Sequence, residues 1–186
     1  MKKSTMGIQV PKVYVDEPRQ IFNPLFLSDE EYERATRALI IVCTDVGLID
    51  VRSKTIWLAR RSSRPAQNQW WFIGGRTRIG ETETESIQRC FKRETGLLIP
   101  KNRFNFVCMN RFFWKDRQQL PHEAGCDCLA YTMALQLSHE ERAQIVLDRN
   151  EYQDGGLRAF SYDSLKAEGI HQYIRDFCEK VFEPSA

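Results

Sequence analysis

The 186-residue chain carries 27 basic and 25 acidic side chains, a formal charge of +2, and is 42% hydrophobic and 28% charged. That composition excludes disordered and fibrous chains, and a domain of this length buries about 70% of its unfolded surface, so it can fold without disulfides. No apolar run approaches the roughly 18 residues of a membrane span, and Lys2-Lys3 leads into Ser-Thr-Met-Gly rather than an apolar leader. A single cytoplasmic domain over 1–186 is therefore expected, with no membrane partner. The near-neutral total also argues against nucleic acid as a partner.

Residues 1–27, with Pro11, Pro18 and Pro24, read as an irregular N-terminal arm. Ser28 and Glu31 form a capping box that opens a helix to about residue 38. Apolar runs predict strands at 39–43, 55–59 and 69–73, the last ended by Gly74-Gly75. A second capping box, Thr82 with Glu85, and a C-terminal Gly96 predict a helix over 83–95. Strands at 104–113 and 126–137 flank a polar loop, and Ser138 and Glu141 cap another short helix. The C-terminal helical segment, 161–183, carries Ile170, Tyr173, Ile174, Phe177, Cys178, Val181 and Phe182 at the spacing of one apolar helix face. Strands interleaved with helices in this order predict an α+β fold, a mixed β-sheet sandwiched between α-helices.

Six cysteines are scattered through mostly apolar stretches, as suits buried thiols in a reducing compartment. Cys126 and Cys128, with His122 four residues before the first, lack the second ligand pair of a zinc site and read as strand cysteines.

The charge is unevenly spread. Residues 51–78 hold Arg52, Lys54, Arg60, Arg61, Arg64, Arg76 and Arg78 and no Asp or Glu, so the remainder of the chain is net negative. Such a segment attracts anions, unless it is only a solvated basic face. Trp70 and Trp71 beside these charges could stack bases, although one in the core and one lining a pocket is the simpler reading.

Placed on a helical wheel, Glu94 falls between Ile87 and Cys90, within the apolar face of the 83–95 helix. A carboxylate buried there needs a cation. The candidates are an arginine, with Arg89 and Arg93 on the same helix, or a divalent metal ion beside the Gly74-Gly75 carbonyls.

Gly75, Glu81, Arg89, Glu94, Gly96 and Leu97 fit the spacing of the Nudix box, and the chain resembles that family over 74–97. The box is degenerate: Cys90 and Arg93 stand where glutamates are expected. Outside it, Arg61-Ser-Ser-Arg64-Pro65-Ala66-Gln67, Trp71-Phe72 and Gly74-Gly75-Arg76 resemble the GDP-mannose mannosyl hydrolase branch, which shows the same loss.

The resemblance implies Nudix chemistry on a nucleoside diphosphate sugar, with water attacking the anomeric carbon to release nucleoside diphosphate and sugar. It implies Mg²⁺, or Mn²⁺ in its place, on the Gly74 carbonyl, Glu94 and Gln153. Arg61 and Arg76 would neutralise the departing diphosphate, with Arg64 and Trp71 as further substrate-binding residues. A homodimer is implied on the same ground.

The branch's base is a histidine following a glutamine ligand, and 150–156 contains no histidine. One register aligns Tyr152 and Gln153 with those positions. The other aligns Gln153 with the ligand and makes Asp154 the base, and His122 is a substitute from the 114–125 loop. Phe112 and Cys128 fall near the branch's assisting histidine and tyrosine. The alternatives are a nucleotide-sugar binding or regulatory module that has lost turnover, and a pyrophosphatase cleaving P–O, against which the missing glutamates argue.

Overall fold

A computed structural model describes residues 12–15 and 25–183. Seven strands form one mixed sheet: β1 (Ile41–Asp50), β2 (Thr55–Arg61), β3 (Trp70–Trp71), β4 (Ile73–Arg76), β5 (Asn105–Trp114), β6 (Cys126–Gln136) and β7 (Tyr152–Ser161). The helices are α1 (Asp29–Thr36), α2 (Glu83–Thr95), α3 (His139–Ala143) and α4 (Gln172–Phe182). The main path runs β3-β2-β1-β6-β5, with β4 paired to β1 and β7 paired to β2. Among the described strands the β1–β6 pair alone is parallel.

The α+β expectation holds, and the layers follow from strand alternation. Val46 and Leu48 of β1, Ala59 of β2 and Met133 and Leu135 of β6 point to one face, where Ile87 and Phe91 of α2 cover them. Ile49, Ile56, Leu58 and Ala134 point to the other, under Tyr173, Ile174, Phe177 and Phe182 of α4. Gly47 lies on that second face, and a Cβ there would meet the Phe177 ring at 2.6 Å. All three capping boxes form, with each hydroxyl accepting from the third helical N–H and the glutamate accepting from the cap N–H.

The predicted arm, 1–27, lies mostly outside the described residues, and 12–15 and 25–27 are neither helix nor strand. Within 161–183 the structure has a single turn at Tyr162–Ser164 and then α4.

Two strand expectations need correction. The 69–73 run breaks at Phe72, and Gly74-Gly75 lies inside β4 rather than ending a strand. The glycine is required by close approach: a Cβ on Gly74 would stand 2.2 Å from the Thr44 carbonyl oxygen and 2.4 Å from Asp45 Oδ1. Gly74→Ala should therefore destabilise the fold by about 3 kcal/mol, since the obstacle is partly backbone and cannot rotate away. Urea denaturation measures this, and an unchanged midpoint would refute the close approach.

The other correction is β7. The sequence predicts no strand between 138 and 161, yet from Tyr152 onward the chain is strand paired to β2. Gly155 and Gly156, with φ of 122° and 68°, and a register shift opposite Ala59–Arg61 disguise the strand pattern.

Candidate active site

A cavity of about 990 Å³ opens at one end of the sheet, lined by the β2–β3 loop, β4, the inner side of α2, the loop after β5 and residues 25–27. Seven arginines line it, Arg61, Arg64, Arg76, Arg78, Arg89, Arg93 and Arg117, against three carboxylates, Asp45, Glu94 and Glu151. The basic segment thus divides. Arg61, Arg64, Arg76 and Arg78 reach the cavity, whereas Arg52, Lys54 and Arg60 do not line it.

Several of these guanidinium groups are held in place. The Arg61 group donates to the Ser63 hydroxyl at 2.8 Å and lies 3.9 Å from Glu151. Arg64 pairs with Asp116 at 3.5 Å. Arg76 donates to Gln119 at 2.8 Å and lies 4.6 Å over the Tyr32 ring. Arg89 forks onto Glu81 at 2.5 and 2.7 Å and also reaches the Arg76 carbonyl, tying the start of the box to its helix. Buried Arg117 pairs with Glu33 and fastens the 114–125 loop to α1.

Glu94 is 2% exposed, as its place on the wheel requires. Its Oε2 accepts from the Tyr152 hydroxyl at 2.5 Å and the Gly74 N–H at 3.3 Å, and its Oε1 accepts from the Arg93 guanidinium. Of the two arginines that the sequence offered, Arg93 is the one that reaches it. Burial pushes the Glu94 carboxyl up, with the Tyr152 hydroxyl and Arg93 acting in the opposite direction.

The carboxylate that sequence reasoning missed is Asp45. It lies on β1 opposite Gly74 and lines the cavity. Burial raises its pKa to about 7, with Arg61 opposing and Glu94 adding to the rise. Among the described residues no hydrogen-bond donor meets its carboxylate. One signal was available: Asp45 is the single acidic residue in the apolar run 39–49.

Trp71, 5% exposed, lines the cavity edge-on to Phe112 and Trp114, whose rings stack at 5.2 Å. Trp70 packs on Phe160 instead, with Arg158 over its ring, so of the Trp70-Trp71 pair Trp71 is the one that faces the cavity. Phe112 and Cys128 line it as well, and the Cys126 and Cys128 sulfurs lie 3.6 Å apart.

Three expected residues are placed elsewhere. The side chain of Asp154 is 91% exposed, 3.7 Å from Arg149, and does not line the cavity. The Gln153 amide donates to the Asn68 side chain at 2.5 Å and to the Arg61 carbonyl. His122 is turned to the Arg117 carbonyl, 3.0 Å away. The reason is common to the first two. Tyr152 takes the inward position at the start of β7, Gln153 alternates to the other side, and Asp154 falls on the exposed stretch of the strand that runs into Gly155 and Gly156.

The NUDIX domain family model matches residues 42–180. Among solved structures, the chain resembles the MutT NUDIX hydrolase from Burkholderia pseudomallei, with 19% identity over 77% of this chain and 98% of that one, and a TM-score of 0.60. It resembles the MutT protein from Methanosarcina mazei Go1 at 19% identity, 76% and 92% coverage and a TM-score of 0.58. The E. coli dihydroneopterin triphosphate pyrophosphohydrolase is similar at 16% identity, 77% and 96% coverage and a TM-score of 0.57. These identities speak for the fold. The chain belongs to the Nudix hydrolase family.

Nudix hydrolases generally use a divalent metal such as Mg²⁺, and the donor set here does not fit one. At the position of one box carboxylate the Arg93 guanidinium stands against Glu94, and the Gln153 amide is engaged with the β2–β3 loop. Both Glu94 oxygens already accept hydrogen bonds. Among the described residues, no three His, Cys, Asp or Glu side chains are grouped to hold an ion.

Proposed function

We propose that the chain hydrolyses a nucleoside diphosphate sugar of the GDP-mannose kind at the anomeric carbon, releasing nucleoside diphosphate and free sugar. The observation that carries this reading is a single cavity with an excess of arginines around Asp45, a carboxylate that titrates near neutrality. The Arg61-to-Arg76 resemblance to the mannosyl hydrolase branch supports it.

Asp45 accepts a proton as the water oxygen bonds to the anomeric carbon, and the bond from that carbon to the diphosphate oxygen breaks. The base is suited to this work because its pKa lies close to operating pH. Arg61, Arg64 and Arg76 meet the leaving diphosphate, and forked guanidinium donors bind phosphate oxygens in pairs. Phe112 and Trp114 offer flat apolar surface to the base or sugar. Mg²⁺ on Gly74, Glu94 and Gln153, as the branch resemblance implies, has no part in this reading: the Gln153 amide donates to Asn68 and to the Arg61 carbonyl, and Glu94 is paired with Arg93. Asp45 replaces Asp154 as the base on the ground of position: Asp154 is outside the cavity.

Incubation with GDP-mannose, GDP-glucose and ADP-ribose in ¹⁸O-labelled water tests the reaction. The expected products are nucleoside diphosphate and free sugar, with the label in the sugar. GMP or AMP with a labelled phosphate would mean P–O cleavage. Thermal stabilisation by a ligand without product would mean a binding module.

A further inference from the structure

We propose that Arg93 is the resident cation of Glu94, taking the place of a divalent ion, so that the cavity binds a diphosphate without metal. This inference rests on the reading of the cavity as a diphosphate site.

Helix α2 sets Arg89, Cys90, Arg93 and Glu94 along its cavity side. At two of these positions the box would carry glutamates, and the chain has a thiol and a guanidinium instead. The guanidinium has a built seat. One nitrogen contacts Glu94 Oε1, and the same nitrogen stands 3.1 Å from where a Cβ on Gly75 would be, with the Cys90 sulfur equally close to that point. A side chain at 75 would press on both, and each would have to give by a few tenths of an ångström. Glu94's other oxygen is occupied by Tyr152 and Gly74, so the carboxylate is neutralised from within the chain.

The side chain is nevertheless 46% exposed. A guanidinium has five N–H donors in a fixed fork, and the contact with Glu94 leaves several of them for an anion entering the cavity. A Mg²⁺ ion, by contrast, requires near-octahedral oxygen donors. Beside Arg93 it would meet Glu94, whose oxygens are already bonded, and a positive charge next to that carboxylate. The chemistry supplied at this point is therefore charge and directed hydrogen bonds.

The test uses the full chain and its Arg93→Ala, Arg93→Lys and Arg93→Glu variants. Free Mn²⁺ is titrated and read by electron paramagnetic resonance, and GDP binding is measured by calorimetry in EDTA and in Mg²⁺. The unaltered chain is expected to bind GDP equally in both media and Mn²⁺ only weakly. Arg93→Ala and Arg93→Glu should bind Mn²⁺ about tenfold more tightly or better, which is 1.4 kcal/mol or more. Arg93→Ala should also bind GDP in Mg²⁺ but not in EDTA, and Arg93→Lys, which keeps the charge, should continue to exclude Mn²⁺. Mn²⁺ binding by the unaltered chain that Arg93→Ala leaves unchanged would overturn the proposal, as would GDP binding that requires Mg²⁺. If GDP binds in neither medium, the diphosphate reading fails and the metal-free diphosphate site falls with it. The Mn²⁺ series then still decides whether Arg93 holds the cation's place.

Discussion

Asp45→Asn is expected to lower kcat by roughly 100- to 10,000-fold, the usual contribution of a positioned general base. In the unaltered chain, kcat should rise with pH through about 7, where Asp45 loses its proton. The variant should lose that rising limb along with its rate. The same substitution should stabilise the fold. An unfolded chain gives up this proton near 3.8 and the folded one near 7, so stability falls as pH rises through that window. Above it, the buried charge costs the native state on the order of 2–4 kcal/mol, and Asn removes the cost. Urea denaturation at pH 5 and pH 8 checks the sign: the variant's advantage should be larger at pH 8. A rate loss without a pH-dependent gain in stability would show that Asp45 is ionised throughout.

Arg61→Ala should lower kcat/KM by roughly 100-fold or more, in line with the 2–5 kcal/mol lost when one partner of a buried charge pair is removed. The Arg61 side chain is 16% exposed and held by the Ser63 hydroxyl, so its fork is directed before any ligand arrives. Arg61→Lys should recover little of the loss, because an ammonium group is a point charge without paired donors. A second readout separates this role from mere charge. Arg61 is the cation that opposes the rise in the Asp45 pKa, so the pH limb of either variant's rate should shift, upward in Arg61→Ala and less in Arg61→Lys. Full activity in Arg61→Lys would show that paired recognition is not what the residue supplies.

Helix ends were legible in the sequence because their causes are local. Ser28, Thr82 and Ser138 each sit three residues before a glutamate, and each pair forms its reciprocal cap. Helix α2 has the expected bounds, with Gly96 in the left-handed conformation at its end. The burial of Glu94 was legible too, since helical periodicity alone puts it among Ile87 and Cys90. What answers its charge was not, because the choice between a guanidinium and an ion depends on where β4 and β7 pass. The strand-bound glycines Gly74 and Gly75 read as a turn for a related reason. A glycine required by a neighbouring backbone, as Gly74 is by Thr44, carries no mark that distinguishes it from a turn glycine.

The residue types were thus set by the sequence, and the directions in which they point were set by the sheet. From sequence come the near-neutral total of +2, the basic run 51–78, the capped α2 and the degenerate box, and with them the family. The tertiary structure turned four arginines of that run into the cavity, brought Asp45 opposite Gly74 and left Asp154 in solvent. The physical reason is that side-chain direction depends on register and on irregularities in it: Tyr152 takes an inward place on β7, Gln153 alternates away from it, and Asp154 stands beside the positive-φ Gly155 and Gly156 on the exposed stretch of the strand. The nearly balanced charge count that seemed to exclude an anionic partner says little. Which of those charges face one cavity is a property of the fold.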